Sequence, residues 1–422
     1  MSKLRAISLF TGAGGLDLGM EAAGFQTRVA VEMDVDSVTT IRRNRPQWAT
    51  IQADIRHPDA SSARILASAR LGCGDADILI GGPPCQPFSK SGYWAGGDSK
   101  RLRDPRATTL TEYLRVLADT QPRAFLLENV PGLSFSDKDE GLTFLRRRID
   151  AINKKYRTTY SFSVSVLDAA AYGVPQHRSR LFVIGSRDGE QFEFPPGTFG
   201  DTVRSSGQLE SNGGARTTAL PYLTSWDAIG DLADDPDPEL VIRGKWAGLV
   251  PTIPEGENYL FHTARGGGLP LFGWRTRYWS FLLKLAKALP SWTIAAEPGP
   301  AIGPFHWKNR RLSRIELMRL QTFPPDYVIS GSLRSAQRQL GNAVPSLLAE
   351  FLGREIRAQF FGDKNARRDL SLLPERRGTP PRPEQTARVP RSYLRFKGDH
   401  PEHPGPGRGP GAITRLSGVI VR

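Results

Sequence analysis

The chain has 422 residues, 39% hydrophobic and 24% charged, a composition typical of a globular protein with one large core and a smaller second lobe. The formal net charge of +14 favours a polyanionic partner, above all nucleic acid. With only Cys73 and Cys85, the sequence excludes a disulfide framework and a four-thiolate zinc site, and we expect no metal centre. Neither a signal peptide nor a run near the roughly 18 apolar residues of a membrane span is found, which predicts a cytoplasmic protein.

Short apolar runs alternate with helix-like stretches in the first part of the chain. The predicted strands lie at 6–10, 28–32, 76–80, 125–127, 161–166 and 180–184. Strands separated by helices predict an α/β fold with a parallel, doubly wound sheet. Near the end of this pattern, a capping box at Ser313 and Glu316 predicts a helix from Arg314 to about Gln321. Apolar residues with a 3.6-residue period predict an amphipathic helix over 346–360.

Changes in composition divide the chain into segments. After 1–189, the periodicity fades in a stretch rich in Gly, Pro and Trp, which predicts a second lobe over 190–310. Residues 311–362 return to the main fold. The last segment, 363–422, is rich in Arg, Pro and Gly, with more than twice as many basic as acidic residues. We expect it to be a disordered tail, either a solvated extension or an auxiliary nucleic-acid contact.

A glycine-rich turn, Phe10-Thr-Gly-Ala-Gly-Gly15, lies between the first predicted strand and a helix pattern over 16–23. Glycines at such a turn let the backbone approach a ligand at the helix N-terminus. Glu32 closes the second predicted strand and Asp54 closes the probable third, where acids can accept from ribose hydroxyls or an adenine amino group. The turn and the two acids together predict a nucleoside cofactor, although ordinary caps and a plain tight turn would give the same residues.

A second motif, Gly81-Gly-Pro-Pro-Cys-Gln-Pro-Phe-Ser89, follows the strand at 76–80. In an open α/β fold this position is the carboxyl edge of the sheet, where ligands bind. Prolines stiffen the loop, so Cys85 is predicted to be presented as a reactive thiol rather than packed in the core. Cys73, between two glycines, is interpreted as an ordinary small core residue.

Three further motifs follow in the chain. An apolar strand ends in Glu128, and a carboxylate in that position is costly unless paired, so it often marks catalysis. Gln176, Arg178 and Arg180 alternate, which places them on one face of a starting strand with a demand for anionic partners. Residues 339–345, with a turn-prone Gly-Asn pair, are interpreted as a loop before the last helix.

These motifs, in this order, resemble the DNA cytosine-5 methyltransferase family of the bacterial restriction-modification type, over roughly residues 4–360. The resemblance implies a Rossmann-like methyltransferase sheet that binds S-adenosylmethionine (AdoMet), with 1–189 and 311–362 forming the catalytic domain and 190–310 a smaller target-recognition domain. The residues implied to contact AdoMet are Phe10, Gly12, Gly14, Gly15, Glu32, Asp54, Pro84, Asn342 and Ala343. Many relatives carry serine where Ala343 stands, so a hydroxyl contact is not expected there.

The resemblance also implies the chemistry. Cys85 is the nucleophile that adds to C6 of a flipped-out cytosine, because C5 is a poor nucleophile until a thiolate pushes electron density towards it. Glu128 contacts N3 and the amino group of the base. Arg178 and Arg180 hold the base, its phosphate and the catalytic loop, which we expect over 89–106 and predict to be mobile without DNA.

The implied partner is double-stranded DNA, read by the second lobe of a monomer. Gln176, Arg275 and Arg277 are the predicted DNA contacts. Tyr278, Trp279, Phe281 and Leu282 fit lobe core at helical spacing. A tRNA cytosine-5 methyltransferase of the same fold stays the alternative, although the large second lobe favours DNA. The motifs contain no information on a cognate restriction endonuclease.

Overall fold

The computed structural model describes residues 3–84, 108–131, 140–201, 219–232, 237–273, 277–367 and 369–397. Within them a seven-stranded sheet has the order β3-β2-β1-β4-β5-β7-β6. Its strands are β1 Leu4–Leu9, β2 Phe25–Glu32, β3 Ala49–Gln52, β4 Ile78–Gly81, β5 Ala124–Asn129, β6 Ser161–Asp168 and β7 Ser179–Ser186. The predicted α/β class and the six predicted strands are therefore confirmed, with ends that differ by a few residues.

The sheet is mixed, which corrects the prediction that it is parallel throughout. Strands β1 to β5 pair in parallel, but β7 runs antiparallel to both β5 and β6. The physical reason is the short connection between β6 and β7, a single 3-10 turn at Ala169–Tyr172 and a brief loop. A parallel pair needs a longer crossover, usually a helix.

Helices cover both faces of the sheet, which makes a three-layer α/β/α fold. Before β6 these helices are α1 Gly15–Ala22, α2 Val35–Asn44, α3 Ser62–Ala69, α4 Thr108–Thr120 and α5 Glu140–Tyr156. On one face, Ile65, Leu117 and Leu145 of α3, α4 and α5 pack against the strands. The opposite face is covered by α1 and by the last long helix of the chain, described next.

The three-layer fold resumes near the end of the chain with α7 Arg314–Leu320, α8 Leu333–Asn342 and α9 Ser346–Phe360, after a short helix α6 at Ser225–Ile229. Both hydrogen bonds of the capping box between Ser313 and Glu316 are present, so the predicted start of α7 is confirmed. The amphipathic helix α9 also has its predicted bounds. The prediction of a loop at 339–345 is wrong in part, because Gly341 and Asn342 end α8, whose apolar side is buried.

The segment after β7 contains little regular structure but has its own hydrophobic cluster. Leu249, Phe272, Phe281, Leu282 and Phe305 are buried together within 237–307. Phe281 and Leu282 are therefore core, as predicted. By contrast Tyr278 and Trp279, assigned to the core by the same interpretation, are 65% and 53% exposed. The division into domains at 190 and 310 stays a prediction.

The prediction of a disordered tail over 363–422 is wrong for the part that the structure describes. Residues 369–397 run as an extended segment along the folded protein and end in a 3-10 helix, Arg391–Phe396. Buried carboxylates and an aromatic cluster on the folded protein bind this segment.

None of the described helices has the length and apolarity to cross a membrane. Cys73 is exposed rather than packed.

Candidate active site

The glycine-rich turn joins β1 to α1 at the carboxyl edge of the sheet. Phe10, Gly12 and Gly14 all have positive φ values, of 55°, 57° and 85°, which is the left-handed conformation that favours glycine. Gly14 is the residue before α1, and its N–H donates to the carbonyl of Thr11 at 2.9 Å. The turn therefore places the N-terminus of α1 at the edge where the resemblance expects a ligand.

Glu32 lies beside this turn at the end of β2. Its carboxylate accepts backbone N–H groups from Gly12 at 2.7 Å and from Met33 and Asp34 at 2.8 Å. Burial raises the pKa of Glu32, and the three backbone donors oppose that rise. These bonds hold the carboxylate in one orientation beside the predicted cofactor turn.

Asp54 lies beyond β3, which ends at Gln52 rather than at Asp54 as predicted. Its Oδ1 accepts from Nε of Arg56 at 2.9 Å, and this hydrogen bond lowers the pKa of Asp54 to about 2. Asp54 is therefore an ionised acceptor at the same edge of the sheet as Glu32.

The return segment meets the turn at the junction of α8 and α9. A Cβ built on Gly15 would lie 2.4 Å from the carbonyl oxygen of Val344 and 3.1 Å from the Cβ of Ala343. This contact brings the predicted residues 342–344 next to the turn, with the side chain of Asn342 exposed and Ala343 buried. Only a glycine at position 15 allows so close an approach.

A nucleoside cofactor fits this arrangement. A Cβ on Gly12 would meet no atom within 4 Å, so the outer side of the turn is open. Fixed carboxylates at Glu32 and Asp54 supply acceptors for hydroxyl and amino groups, and the helix N-terminus supplies donors.

The second half of the site lies across β4 and β5. Glu128 is at the end of β5, with its side chain 12% exposed, and its Oε1 is 2.9 Å from Nε of Arg180 on β7. A Cβ on Gly82 would be 2.8 Å from Oε2 of the same carboxylate, so the loop after β4 packs directly on Glu128. Asn129 donates its amide to the carbonyl of Pro83 at 3.3 Å.

Burial raises the pKa of Glu128, while the charges of Arg180 and Arg178 oppose the rise. The loop continues through Pro84, whose carbonyl accepts from the hydroxyl of Thr109 at 3.3 Å. The next residue in the chain is Cys85, which lies outside the described residues, as does the predicted catalytic loop 89–106.

Arg178 is buried, with 1% of its surface exposed, and it joins parts of the chain that are distant in sequence. Its guanidinium donates to the carbonyl of Gly341 at 2.6 Å and to that of Ile294 at 3.3 Å. The Nε is buried and has no partner among the described residues. These two bonds tie the residue just before β7 to Ile294 and to Gly341 near the end of α8.

Gln176 does not lie where the prediction of a DNA contact requires. Its side chain is fully buried, donates to the carbonyl of Leu320 at 3.2 Å and accepts from the N–H of Ile294 at 3.0 Å. The prediction is wrong because no atom of the side chain reaches the surface. The predicted strand face is also wrong, since β7 begins at Ser179 and both Gln176 and Arg178 precede it.

Of the two predicted arginines of the second lobe, the structure describes Arg277, and Arg275 lies outside the described residues. Arg277 is exposed, and its guanidinium lies over the rings of Trp246 and Phe281, at 5.7 and 5.6 Å from their centroids.

The sequence analysis did not identify several residues that support the site through hydrogen bonds and packing. Tyr327 donates its hydroxyl to the carbonyl of Ala13, inside the glycine-rich turn, at 2.8 Å. His177 packs on Trp292 at a centroid distance of 5.7 Å, and Thr293 donates to its carbonyl at 2.7 Å. No local pattern marks these residues, because each acts across more than a hundred residues of sequence.

A glycine-rich turn and an acid at the strand ends of a mixed seven-stranded sheet define the class, a Rossmann-like methyltransferase fold. Solved structures agree on the fold. A putative DNA modification methyltransferase encoded within an Escherichia coli prophage superposes with a TM-score of 0.58 and 24% identity, covering 85% of this chain and 99% of that chain. DNMT2 of Spodoptera frugiperda gives a TM-score of 0.55 at 15% identity and covers 84% of this chain and 99% of that chain.

The sequence is similar to curated DNA methyltransferases over most of its length. It is 40% identical to the Type II methyltransferase M.SacI of Streptomyces achromogenes over 379 residues, 85% of this chain and 93% of that protein. It is 31% identical to M1.HphI of Haemophilus parahaemolyticus, over 84% of this chain and 86% of that protein. The family of C-5 cytosine-specific DNA methylases matches residues 4–358. The chain belongs to this family and is a DNA (cytosine-5)-methyltransferase.

Proposed function

We propose that the chain uses AdoMet to methylate C5 of a flipped cytosine in a specific duplex DNA sequence, through a covalent bond between Cys85 and C6 of the base. The observation that carries this proposal is the Glu128–Arg180 pair, 2.9 Å apart and packed against the loop that leads to Cys85. A base held by this pair would lie next to the residue that follows Pro84.

The chemistry assigns one task to each group. The thiolate of Cys85 adds to C6, and the electron pair of the C5–C6 double bond moves towards C5. Glu128 Oε2 faces the loop while Oε1 pairs with Arg180, so Oε2 is the oxygen positioned to give a proton or hydrogen bond to N3 of the base. Burial raises the pKa of Glu128, and a proton or hydrogen bond given to N3 would stabilise the negative charge that develops on the ring.

The turn at Gly12 to Gly15, with Glu32 and Asp54, would hold AdoMet, which would supply an electrophilic methyl group. After C5 has gained the methyl group, a base removes the C5 proton and the bond between Cys85 and C6 breaks. The aromatic ring and the free thiolate are then restored. The sulfur that gave up the methyl group would leave as a neutral thioether, and the proton taken from C5 carries the positive charge, so atoms and charge balance.

A stacked cytosine cannot be reached by a thiol on one side and a cofactor on the other. Rotating it out of the duplex costs about a few kcal/mol. We propose that contacts in the pocket of Glu128 and Arg180 offset this cost. Arg178 does not touch the base in this proposal. Its bonds to Ile294 and Gly341 fix the position of the second lobe relative to the start of β7, the strand that carries Arg180.

The similarity to Type II methyltransferases supports the role of a modification enzyme in a restriction-modification system. Sequencing of methylated cytosines in DNA from cells that express the chain would test this role and identify the target. Methylation confined to one short sequence supports it, and an absence of methylated cytosine contradicts it.

Transfer of labelled methyl groups from AdoMet to duplex DNA, with tRNA as the competing substrate, tests the substrate class. We expect label in DNA alone, and label in tRNA alone would contradict the proposal. Cys85→Ser should abolish transfer. Cys73→Ser is the matched control, because Cys73 is the other cysteine of the chain and is exposed.

A duplex that carries 5-fluorocytosine at the target tests the covalent step directly. Fluorine at C5 cannot leave as a proton does, so the adduct between Cys85 and C6 should persist and resist denaturation. The wild type and Cys73→Ser should form it and Cys85→Ser should not. Full methyl transfer without any such adduct would overturn the mechanism.

A further inference from the structure

The described end of the chain, residues 369–397, is an ordered segment that we call the strap. It begins beside α9, at the back of the catalytic sheet. There the buried carboxylate of Glu350 accepts the N–H groups of Ser371 and Leu372, both at 2.8 Å, and the side chain of Arg354. A fully buried carboxylate with this many donors fixes the start of the strap on the catalytic fold.

The strap then crosses to the second lobe, where a second buried charge network holds it. Lys287, 3% exposed, lies 2.5 Å from Glu255 and 3.1 Å from Glu384 of the strap. The N–H of Glu384 also donates to Glu255 at 2.8 Å. Further along, the N–H of Ala387 donates to the carbonyl of Pro251 at 2.9 Å, so the path of the strap is defined on both lobes.

The final turn of the strap, Arg391–Phe396, packs on aromatic residues of the second lobe. The ring of Tyr393 is 6.3 Å from that of Trp246 and stacked on it, and the ring of Phe396 lies 4.9 Å from Trp246. The hydroxyl of Tyr393 donates to the carbonyl of Lys245 at 3.0 Å. The strap thus completes an aromatic cluster that the second lobe alone would leave open.

Exposed cations lie on this cluster. The Nζ of Lys245 is 4.3 Å from the centroid of Phe396 and 4.7 Å from that of Trp246. Arg395 lies 4.9 Å above Phe396, and Arg277 lies 5.7 Å from Trp246. We call these five residues the strap patch. Within the described part of the chain, none of its three cations forms an ion pair with a carboxylate.

Three like charges on shared rings repel one another, and the rings stabilise each of them only by about 0.5 to 1 kcal/mol at an exposed site. An anionic partner would relieve that repulsion. Duplex DNA supplies such a partner, because its backbone carries closely spaced phosphates.

We propose that the strap patch binds the phosphate backbone of the DNA substrate. The strap thus adds Arg395 and Phe396 to the DNA-binding surface of the second lobe. This inference rests on the proposed function in one respect, namely that the substrate is duplex DNA.

The salt dependence of equilibrium binding to a labelled random-sequence duplex tests the proposal on the full chain. The test variant carries Lys245→Gln, Arg277→Gln and Arg395→Gln. The matched control carries Arg146→Gln, Arg147→Gln and Arg148→Gln, because these arginines are exposed on α5 and their loss removes the same charge. Each lost phosphate contact should reduce the slope of log K against log salt by about 0.9, so the test variant should lose roughly 2 to 3.

A slope that falls no further in the test variant than in the control overturns the proposal. Arg395→Gln alone, which leaves all the rings in place, should reduce the slope by about 0.9 and guards against misfolding of the triple variant. Methyl transfer plays no part in this assay. If the salt-dependence slope depends on the strap patch but the protein methylates no cytosine, only the proposed function is refuted. If the protein methylates duplex DNA but the slope does not depend on the strap patch, only the proposed role of the patch is refuted.

Discussion

Asp17 in the first turn of α1 couples the stability of the catalytic fold to pH. The side chain is fully buried, and it accepts from the hydroxyls of Ser8 at 3.0 Å and Thr27 at 2.9 Å. Burial raises the pKa of Asp17 to about 7, and the two hydroxyl donors oppose the rise only in part. In the unfolded chain an aspartate has a pKa of about 3.9.

The sign of the effect follows from proton binding. Between these two pKa values the folded protein holds a proton on Asp17 and the unfolded chain does not, so stability falls as the pH rises. Each pH unit in that window costs about 1.4 kcal/mol. Between pH 5 and pH 8 the loss amounts to roughly 3 kcal/mol, and above pH 8 the contribution stays at this lower level.

The variant Asp17→Asn removes the titrating carboxyl group and keeps the shape of the side chain. Its amide can donate to the hydroxyls of Ser8 and Thr27, which accept as readily as they donate. We measure the free energy of unfolding of the variant and of the wild type by urea denaturation at pH 5 and at pH 8. The difference, variant minus wild type, should increase by about 3 kcal/mol from pH 5 to pH 8. Asp150→Asn on the exposed face of α5 controls for loss of a carboxylate. A difference between variant and wild type that is the same at both pH values would refute this reasoning.

Two further changes test the packing of the cofactor turn and of the strap. Gly15→Ala puts a Cβ 2.4 Å from the carbonyl of Val344 and should lower the free energy of unfolding by roughly 3 kcal/mol, measured by urea denaturation. Gly12→Ala, with open space but a φ of 57°, should cost only about 1 kcal/mol, and equal losses would contradict the assignment of the clash. Glu350→Gln removes the buried charge that holds the strap at Ser371 and should cost roughly 3 kcal/mol in the same assay, whereas an unchanged urea midpoint would show that the strap is not anchored there.

The local sequence was sufficient to predict an element wherever interactions between residues close in sequence determine its structure. The capping box at Ser313 and the apolar period of 346–360 gave the helices α7 and α9 with nearly the observed bounds. Prediction failed where partners come from distant segments. Gly341 and Asn342 suggest a turn by composition, but the buried apolar side of α8 keeps them helical.

The functional motifs divide in the same way. The order of the glycine turn, the Pro-Cys loop and the acid at Glu128 was readable because each motif is contiguous in sequence, and the family match over 4–358 agrees with that reading. The partners of Gln176 and Arg178 were not readable, since Leu320, Ile294 and Gly341 reach them only in the folded chain.

What the sequence by itself determined is the class of fold and the family, and the residues that it assigns to the chemistry stay predictions. Tertiary structure alone decided that Gln176 is buried and that β7 is antiparallel. It also decided that residues 369–397, the described part of a tail rich in Arg and Pro, form an ordered strap. The composition predicts that the isolated segment is disordered in solution. In the folded protein, the buried charges of Glu350 and Lys287 hold the strap in one position.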